Sequence, residues 1–178
     1  MCKLLGALML CIAASGAYAF DLVSSDIKAG AKMPAAQEFN SFGCKGDNLS
    51  PSLAWQNPPV GTQSFAITMF DPDAPTGSGW WHWIVYDIPA SANSLPSGII
   101  TKNPLPDGAK QGRNDFGGRG YGGACPPVGD KPHHYRFTVF ALKVPKLDVP
   151  EDASGALIGF MLNTNSLGTA SFVTLYGR

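Results

Sequence analysis

Two carboxylates and three histidines are the residues of this sequence whose types and spacing suggest chemistry. Asp71 and Asp73 stand two residues apart in the stretch DPDAPTGSGWWHW, which also contains His82. The other two histidines, His133 and His134, are adjacent and precede an apolar run. Carboxylate and imidazole groups can transfer protons, bind charged ligands or hold a metal ion, so each of these roles has to be weighed.

Metal binding is the least favoured of these roles. The sequence contains no H-x-H or H-x-x-x-H pair, and adjacent residues of a strand such as His133 and His134 point to opposite faces. At most one of them can join His82 in a single pocket. We therefore predict no metal ion and no cofactor.

Nucleophilic catalysis lacks a motif of its own. Ser78 lies in TGSGWW, which has neither the G-x-S-x-G spacing nor the following helix of a serine hydrolase. A hydrolase that uses Asp71 with His82 or His133 as general acid and base stays open as an alternative, because these residue types suffice for proton transfer.

A glycine-rich run, GGRGYGGACPP, has glycines spaced as in the dinucleotide-binding fingerprint. Gly118, Gly120 and Gly123 match the letters G-x-G-x-x-G, but Cys125 and two prolines follow where a helix would have to begin. A Rossmann site is therefore excluded. The backbone N–H groups of such a loop could still bind an anion, and we keep that expectation.

The candidate residues stand where predicted strands begin or end. Alternating apolar residues and many β-branched and aromatic side chains predict four long strands and two short ones. Asp71 directly follows the first long strand, and His82 and His134 start the second and third. The long strands are predicted over residues 64–70, 82–88, 134–142 and 169–176, and the short ones over 20–24 and 52–55.

One helix and one long connection complete the predicted elements. Apolar residues at helical spacing after Pro150 predict a helix up to residue 165, with Glu151 and Asp152 in its first turn. The connection over 89–132 is rich in Gly, Pro and Asn, and its length indicates a function or further short elements. Since no repeat or linker divides the chain, we predict one β-rich domain whose loops carry the site.

Residues 1–19 have the layout of a secretory signal peptide. Lys3 precedes an apolar run that is short for a transmembrane helix, and a small-x-small end closes the segment at Ala19. We predict cleavage after Ala19, a mature domain over residues 20–178, and a periplasmic or secreted location. Lipidation is not expected, because Cys11 lacks the small residues that would precede a lipidated cysteine.

Removal of residues 1–19 changes the charge and the cysteine content. It takes away Lys3 and no acidic residue, so the basic residues fall from 13 to 12 against 13 acidic ones, a net charge of −1. A near-neutral chain without a basic run disfavours nucleic-acid binding. Of the four cysteines Cys44 and Cys125 are left, and an exported pair is expected to form a disulfide, with two free thiols as the alternative.

Two longer signatures make the sequence resemble a known family. The first is DPDAPTGSGWWHW, and the second, further along the chain, is GGACPPVGDKPHHYRFTVFAL. With GDNLSPSLAWQNPPVGTQSFAITMF and SGALIGFMLNTNSLGTA, they resemble the phosphatidylethanolamine-binding protein family, also called the Raf kinase inhibitor protein family, in its bacterial YbhB/YbcL-type branch. The resemblance implies a mainly β fold, in which a large antiparallel sheet packs on a smaller one with few short helices, and one small anion pocket.

The resemblance also implies which residues form that pocket. His134 is expected to face away from it, and the Ala74–Pro75 peptide is expected to be cis. Cys125 stands where the family usually has a glycine, which would put a bridge to Cys44 at the rim of the pocket. The implied ligand-binding residues are Asp71, Pro75 and His82 from the first signature, and Gly123, Pro126, His133 and Tyr135 from the second.

The function implied by the resemblance is binding. The histidines would supply ring N–H groups and Tyr135 a hydroxyl to a phosphate-bearing, phospholipid headgroup-like anion, while Asp71 would orient a histidine or meet an ammonium group. The tryptophans would either wall the pocket or fill the core. We expect an exported, non-catalytic protein that binds a small anionic ligand and is not an integral membrane protein. Inhibition of a protein partner, such as an extracytoplasmic enzyme, is the further implication.

Overall fold

The computed structural model of the chain describes residues 18–99 and 103–178. The predicted signal peptide lies almost entirely outside the described residues, so its cleavage stays a prediction. Within the two described ranges, no helix is both long enough and apolar enough to cross a membrane.

Two antiparallel sheets form the framework of the domain, as predicted. Their strands are β1 (Asp21–Val23), β2 (Leu53–Gln56), β3 (Ser64–Asp71), β4 (Trp80–Pro89), β5 (Ser94–Leu95), β6 (Lys110–Gln111), β7 (His133–Leu142) and β8 (Ser166–Tyr176). The larger sheet has the order β6-β4-β3-β7-β8, and the smaller one has the order β1-β2-β5. The central position of β3 in the large sheet places its end between β4 and β7.

Strands β3 and β4 bury both of their faces, because the large sheet is covered on each side. Phe65 and Ile67 of β3 point into the core that contains residues of both sheets. Ala66, between them, belongs to a second core with Ile158 and Leu162. Burial on both faces explains why β3 is almost continuously apolar.

The second core is closed by an α-helix, α1, which spans Gly155–Asn165. The prediction that acidic residues occupy its first turn is wrong. Ser154 is the N-cap, and its side-chain oxygen accepts a hydrogen bond from the Leu157 amide at 3.2 Å. Because this hydroxyl satisfies a first-turn N–H group, the helix begins after Glu151 and Asp152. A short 3₁₀ helix, Ala35–Gln37, lies between β1 and β2.

The long connection contains two short strands that the sequence did not reveal. β5 pairs with the edge of β2, and β6 pairs with β4. Each has only two residues. An alternation of apolar and polar residues cannot be recognised over so short a length, so these two strands could be identified only from the structure.

A β-bulge at His82 places Trp81 and Trp83 on opposite faces of the large sheet. Met69 pairs with Trp83 and Phe70 pairs with Trp81, so His82 is the extra residue of β4. Two residues apart, the tryptophans would share one face of a regular strand. With the bulge, Trp83 lies in the core that contains residues of both sheets, and Trp81 packs against the core that contains α1.

Two glycines let α1 approach the Trp81 ring. A Cβ atom at Gly155 would lie 2.5 Å from Cγ of Trp81, and one at Gly159 would lie 2.9 Å from its Cη2. Contacts this short force a neighbour to move. Glycine is unfavourable inside a helix, but close packing against Trp81 requires it at these two positions.

We predict that Gly155→Ala lowers the free energy of unfolding by about 1–3 kcal/mol, because overpacking outweighs the gain in helix propensity of at most about 1 kcal/mol. Urea unfolding measures the change. Asn163→Ala, at an exposed position of the same helix, is the control and should leave the midpoint unchanged or slightly higher. A Gly155→Ala midpoint at or above that of the parent protein would contradict the close packing.

Candidate functional site

A cavity of about 220 Å³ opens where the ends of β3, β4 and β7 meet. Asp71, His82, His133 and Tyr135 are buried, so they form the inner end of the cavity. Phe42 is 69 % exposed and lies at the mouth. None of the lining residues is Lys or Arg. The lining residues are Phe42, Asp71, Ala74, Pro75, Thr76, Trp80, His82, Phe116, Cys125, Pro126, Pro127, His133 and Tyr135.

Asp71, the last residue of β3, links the turn to the cavity. Its Oδ1 accepts a hydrogen bond from the Asp73 amide at 2.8 Å, which closes an Asx turn. Its Oδ2 accepts one from Nδ1 of His133 at 2.7 Å. The Nε2 atom of His82 lies 4.0 Å from the same oxygen, too far for a hydrogen bond.

The second carboxylate of the motif has a different partner. Oδ2 of Asp73 accepts hydrogen bonds at 2.7 Å from both the amide and Nδ1 of His134. Partial burial raises the pKa of Asp73, but the amide and imidazole of His134 outweigh this effect and lower it. Both side chains are exposed, so His134 faces away from the cavity as expected.

His82 is held by the glycine-rich loop. Its Nδ1 atom lies 2.8 Å from the carbonyl oxygen of Gly122 and 3.1 Å from that of Gly123. Since carbonyl oxygens only accept, Nδ1 carries the hydrogen. Burial lowers the pKa of His82, although the Gly122 carbonyl and Asp71 oppose this effect. The neutral ring therefore has an unprotonated Nε2.

The amides of this loop are already engaged. The Gly122 N–H donates to the His82 carbonyl at 2.9 Å, and the Gly123 N–H donates to Oδ1 of Asn48 at 2.8 Å. These two amides are therefore not available to an anion. Gly123 does not line the cavity. Its carbonyl oxygen contacts Nδ1 of His82, and a side chain at this position would collide with the backbone of Glu38.

Tyr135 brings a buried hydroxyl to the cavity. It lies two residues from His133 on β7, and the alternation of the strand buries both. Burial raises the pKa of Tyr135 and the charge of Asp71 adds to this, whereas the Cys125 amide opposes both, so the hydroxyl keeps its hydrogen. Among the described residues, neither this hydroxyl nor Nε1 of Trp80 has a hydrogen-bond partner of good geometry.

His133 lies between two carboxylates. Its Nδ1 donates to Asp71, and its Nε2 lies 3.5 Å from Oδ2 of Asp130. Asp130 was missed in the sequence, because its type and its place in a turn do not distinguish it from a solvated residue. In the part of the chain that the structure describes, no group of three His, Cys, Asp or Glu side chains is placed to hold a metal ion.

Aromatic rings that no motif indicated line the mouth. The Phe116 ring meets those of Trp80 and His82 edge-on, each with a centroid distance of 5.3 Å. Phe42 lies 5.7 Å from Phe116. Of the three tryptophans in the first signature, Trp80 is the one that lines the cavity, and the other two pack against the cores.

The rim of the cavity is held by two links. The predicted disulfide between Cys44 and Cys125 is present, and Cys125 lines the cavity. Arg178 adds a second link: its Nε donates to the Pro126 carbonyl at 2.6 Å, and a terminal nitrogen donates to the Gly43 carbonyl at 3.0 Å. The loops that carry Phe42 and Pro126 are therefore fixed to each other.

The expected cis peptide at Ala74–Pro75 is wrong. No peptide bond among the described residues is cis. The Thr76 amide donates to the Ala74 carbonyl at 2.7 Å, so a tight three-residue turn already reverses the chain with a trans bond. Pro75 lines the cavity in this conformation.

Comparison with known proteins decides the family. The family model described as phosphatidylethanolamine-binding protein matches residues 23–177, nearly the whole described chain. The chain belongs to this family.

Bacterial members of the phosphatidylethanolamine-binding protein family are closely similar to the chain. The UPF0098 protein YbcL of Escherichia coli K12 is 55% identical over 162 residues, covering 90% of this chain and 88% of YbcL. The UPF0098 protein YbhB of the same strain is 49% identical over 159 residues, covering 87% and 98%. The crystal structure of E. coli YbcL, described as a new member of the mammalian PEBP family, matches with a TM-score of 0.86 and 53% identity, covering 89% of this chain and 98% of that one.

The two signatures by which the sequence resembles this family meet in the structure. The first contributes the last residue of β3, the turn that follows and the start of β4, and the second contributes the loop at Cys125 and the whole of β7. All the predicted ligand-binding residues except Gly123 line the cavity.

We predict that Tyr135→Phe raises the free energy of unfolding by about 1 kcal/mol, because it keeps the ring and removes a buried hydroxyl that has no partner of good geometry. Tyr121→Phe is the matched control. The Tyr121 hydroxyl donates to the Gln37 carbonyl at 2.9 Å, so its loss should lower stability by about 1 kcal/mol. A similar destabilisation in both variants, measured by urea unfolding, would mean that the Tyr135 hydroxyl is bonded within the protein.

The stability of the ligand-free protein should decrease at acidic pH partly through His82. Its folded pKa is below the unfolded value of 6.5, so the unfolded chain binds more protons. The stabilisation is present above the unfolded pKa and falls as the pH decreases below it. We expect the urea midpoint to fall less from about pH 7 to about pH 5 in His82→Gln than in the parent protein, whereas His134→Gln keeps most of the decrease. An unchanged decrease in His82→Gln would contradict this assignment.

Proposed function

We propose that this protein is an exported binding protein whose cavity holds a small oxyanion, a phosphate or a phosphate-bearing headgroup. The observation that supports this most is the buried Tyr135 hydroxyl, which has no partner of good geometry among the described residues and lines the cavity with His82 and His133. A buried polar group without a partner costs about 1–3 kcal/mol. Phosphate oxygens accept hydrogen bonds and would satisfy this donor.

The shape of the cavity supports a headgroup-sized ligand. Its volume of about 220 Å³ is below the range of about 300–1,000 Å³ typical of drug-sized ligands. The exposed Phe42 and the ring of Phe116 would contact the apolar part of a ligand that extends through the mouth. Asp71 is placed to orient His133 and to attract an ammonium group such as that of ethanolamine.

Export is supported by the signal-peptide layout of residues 1–19 and by the disulfide. Disulfides persist in oxidising compartments such as the periplasm and are rare in the cytosol. We therefore propose that the mature chain works in the periplasm or outside the cell.

We further propose that a protein partner, such as an extracytoplasmic enzyme that this protein inhibits, contacts the mouth of the cavity. Phe42 and Val128, in the two rim loops, are 69 % and 77 % exposed. Exposed apolar residues held on fixed loops are suited to contact a partner. The partner's identity rests on the family resemblance alone.

The alternative function is hydrolysis, with Asp71 and either His82 or His133 as general acid and base. The Asp71–His133 hydrogen bond of 2.7 Å would orient His133, and the unprotonated Nε2 of His82 could accept a proton from water. No serine and no free cysteine lines the cavity, however. The Thr76 hydroxyl donates to the Gly79 carbonyl at 2.6 Å, and Cys125 is in the disulfide. These contacts favour binding over turnover.

We expect phosphoryl-ethanolamine to bind the mature protein and to shift the ring resonances of His82 and His133. Tyr135→Phe should weaken binding about tenfold or more, because a hydrogen bond to a charged group contributes about 1.5–3 kcal/mol. Isothermal titration calorimetry gives the affinity, and His134→Gln, outside the cavity, is the control. No binding, or equal affinity in Tyr135→Phe and the parent protein, would contradict the proposal.

The same samples test the alternative. Phosphorus NMR of phosphoryl-ethanolamine after prolonged incubation should show an unchanged ligand. Release of phosphate that disappears in His82→Gln and persists in His134→Gln would support hydrolysis instead.

A further inference from the structure

The inner end of the cavity contains no fixed positive charge that would attract an anion. Asp71 contributes a carboxylate, and no Lys or Arg is among the lining residues. The one hydrogen of the neutral His82 ring is donated to the Gly122 carbonyl, so its Nε2 can only accept. His133 already directs Nδ1 to Asp71, and its Nε2 lies 3.5 Å from Asp130.

An oxyanion that entered this environment would face acceptors as well as donors. The Tyr135 hydroxyl and Nε1–H of Trp80 are free to donate to one oxygen of the ligand. The unprotonated Nε2 of His82 and the carboxylate of Asp71 would repel another negative oxygen of the same ligand. A single proton changes this balance, since it converts Nε2 from an acceptor into a donor.

We propose that the cavity binds an oxyanion together with one proton, which lies between Nε2 of His82 and an oxygen of the ligand. This inference rests on the proposed function and adds the protonation state in which the ligand is held. The proton comes from the ligand when the ligand carries one, and from solvent when it does not. The favoured ligand class is therefore an oxyanion that holds a proton near neutral pH, such as a phosphate monoester.

The groups around His82 agree with an added proton. Asp71 at the end of β3 and Asp115 in the loop after β6 both attract positive charge on the ring. On β7, the Tyr135 ring meets the His82 ring edge-on at 5.2 Å, and Tyr135 stays uncharged. His133, also on β7, is flanked by its two carboxylates. Burial opposes the charge in the free protein, and the negative charge of a bound ligand offsets that opposition.

Two anions of different acidity test the inference. Sulfate does not hold a proton near neutral pH, so its binding must draw one from solvent. Its affinity should fall by about tenfold for each pH unit from about pH 6.5 to about pH 7.5, by linkage to a single proton. Methyl phosphate loses its second proton near pH 6 and should bind more tightly than sulfate at that pH, because it can bring the proton itself.

Calorimetric titrations with sulfate and methyl phosphate measure these affinities, and NMR of ¹⁵N-histidine-labelled protein shows which ring nitrogen is protonated. The sulfate complex should have hydrogens on both nitrogens of His82, and the free protein should have one, on Nδ1. His134→Gln should keep the pH dependence. In His82→Gln the side-chain amide can donate a hydrogen bond without titrating, so the pH dependence of sulfate affinity should disappear. If that variant does not fold, the NMR assignment of the His82 ring nitrogens in the parent protein tests the inference instead.

The outcomes separate this inference from the proposed function. If the affinity does not change with pH and Nε2 of His82 is unprotonated in the complex, the inference that a proton is bound with the ligand is overturned. The proposed anion site would still stand. Absence of binding for both anions from about pH 5 to about pH 8 would overturn both.

Discussion

The hydrogen bond between Asp71 and His133 is the contact on which the rest of the site depends. It joins the end of β3 to the start of β7, and the other oxygen of the same carboxylate holds the turn that follows. A carboxylate with two such bonds has little freedom to rotate, so its charge is fixed at the inner end of the cavity. The histidine that it orients and the tyrosine two residues further along β7 are positioned with it.

His82 reaches this site through a defect in the sheet. The bulge in β4 places one residue too many opposite β3, and that residue is the histidine. The glycine-rich loop then directs the ring by accepting its Nδ1 hydrogen. Bulges commonly re-aim a side chain beside a functional site. Here the bulge also sends the neighbouring tryptophans into two different cores, so stability and site geometry depend on the same irregularity.

The cavity combines a buried polar end with a fixed rim. The disulfide and Arg178 connect the two loops of the rim, so the ligand would enter a site whose walls are largely preorganised. Preorganisation reduces the entropy that binding must overcome. The lining contains no Lys or Arg. In the proposed binding mode, the protonation of His82 would therefore set the affinity for an anion.

The sequence predicted the strands well, because apolar alternation follows directly from burial of one or both sheet faces. It also predicted the disulfide and, through the family resemblance, six of the thirteen residues that line the cavity, including all four that are buried and polar. It could not predict the bulge at His82, since a one-residue shift in pairing leaves no compositional trace. Asp130, Phe116 and Arg178 were missed for a related reason: their positions depend on loops that only tertiary contacts define. The role of Gly123 was likewise misassigned, because a motif does not show whether its backbone faces a ligand or a supporting residue.

A crystal structure of the mature protein with phosphoryl-ethanolamine at slightly acidic pH would test the central claim most directly. The account predicts the phosphoryl group at the inner end of the cavity, with oxygens about 2.6–3.2 Å from the Tyr135 hydroxyl and from Nε2 of His82. A ligand bound only elsewhere on the surface, or a cavity without ligand at saturating concentration, would contradict it.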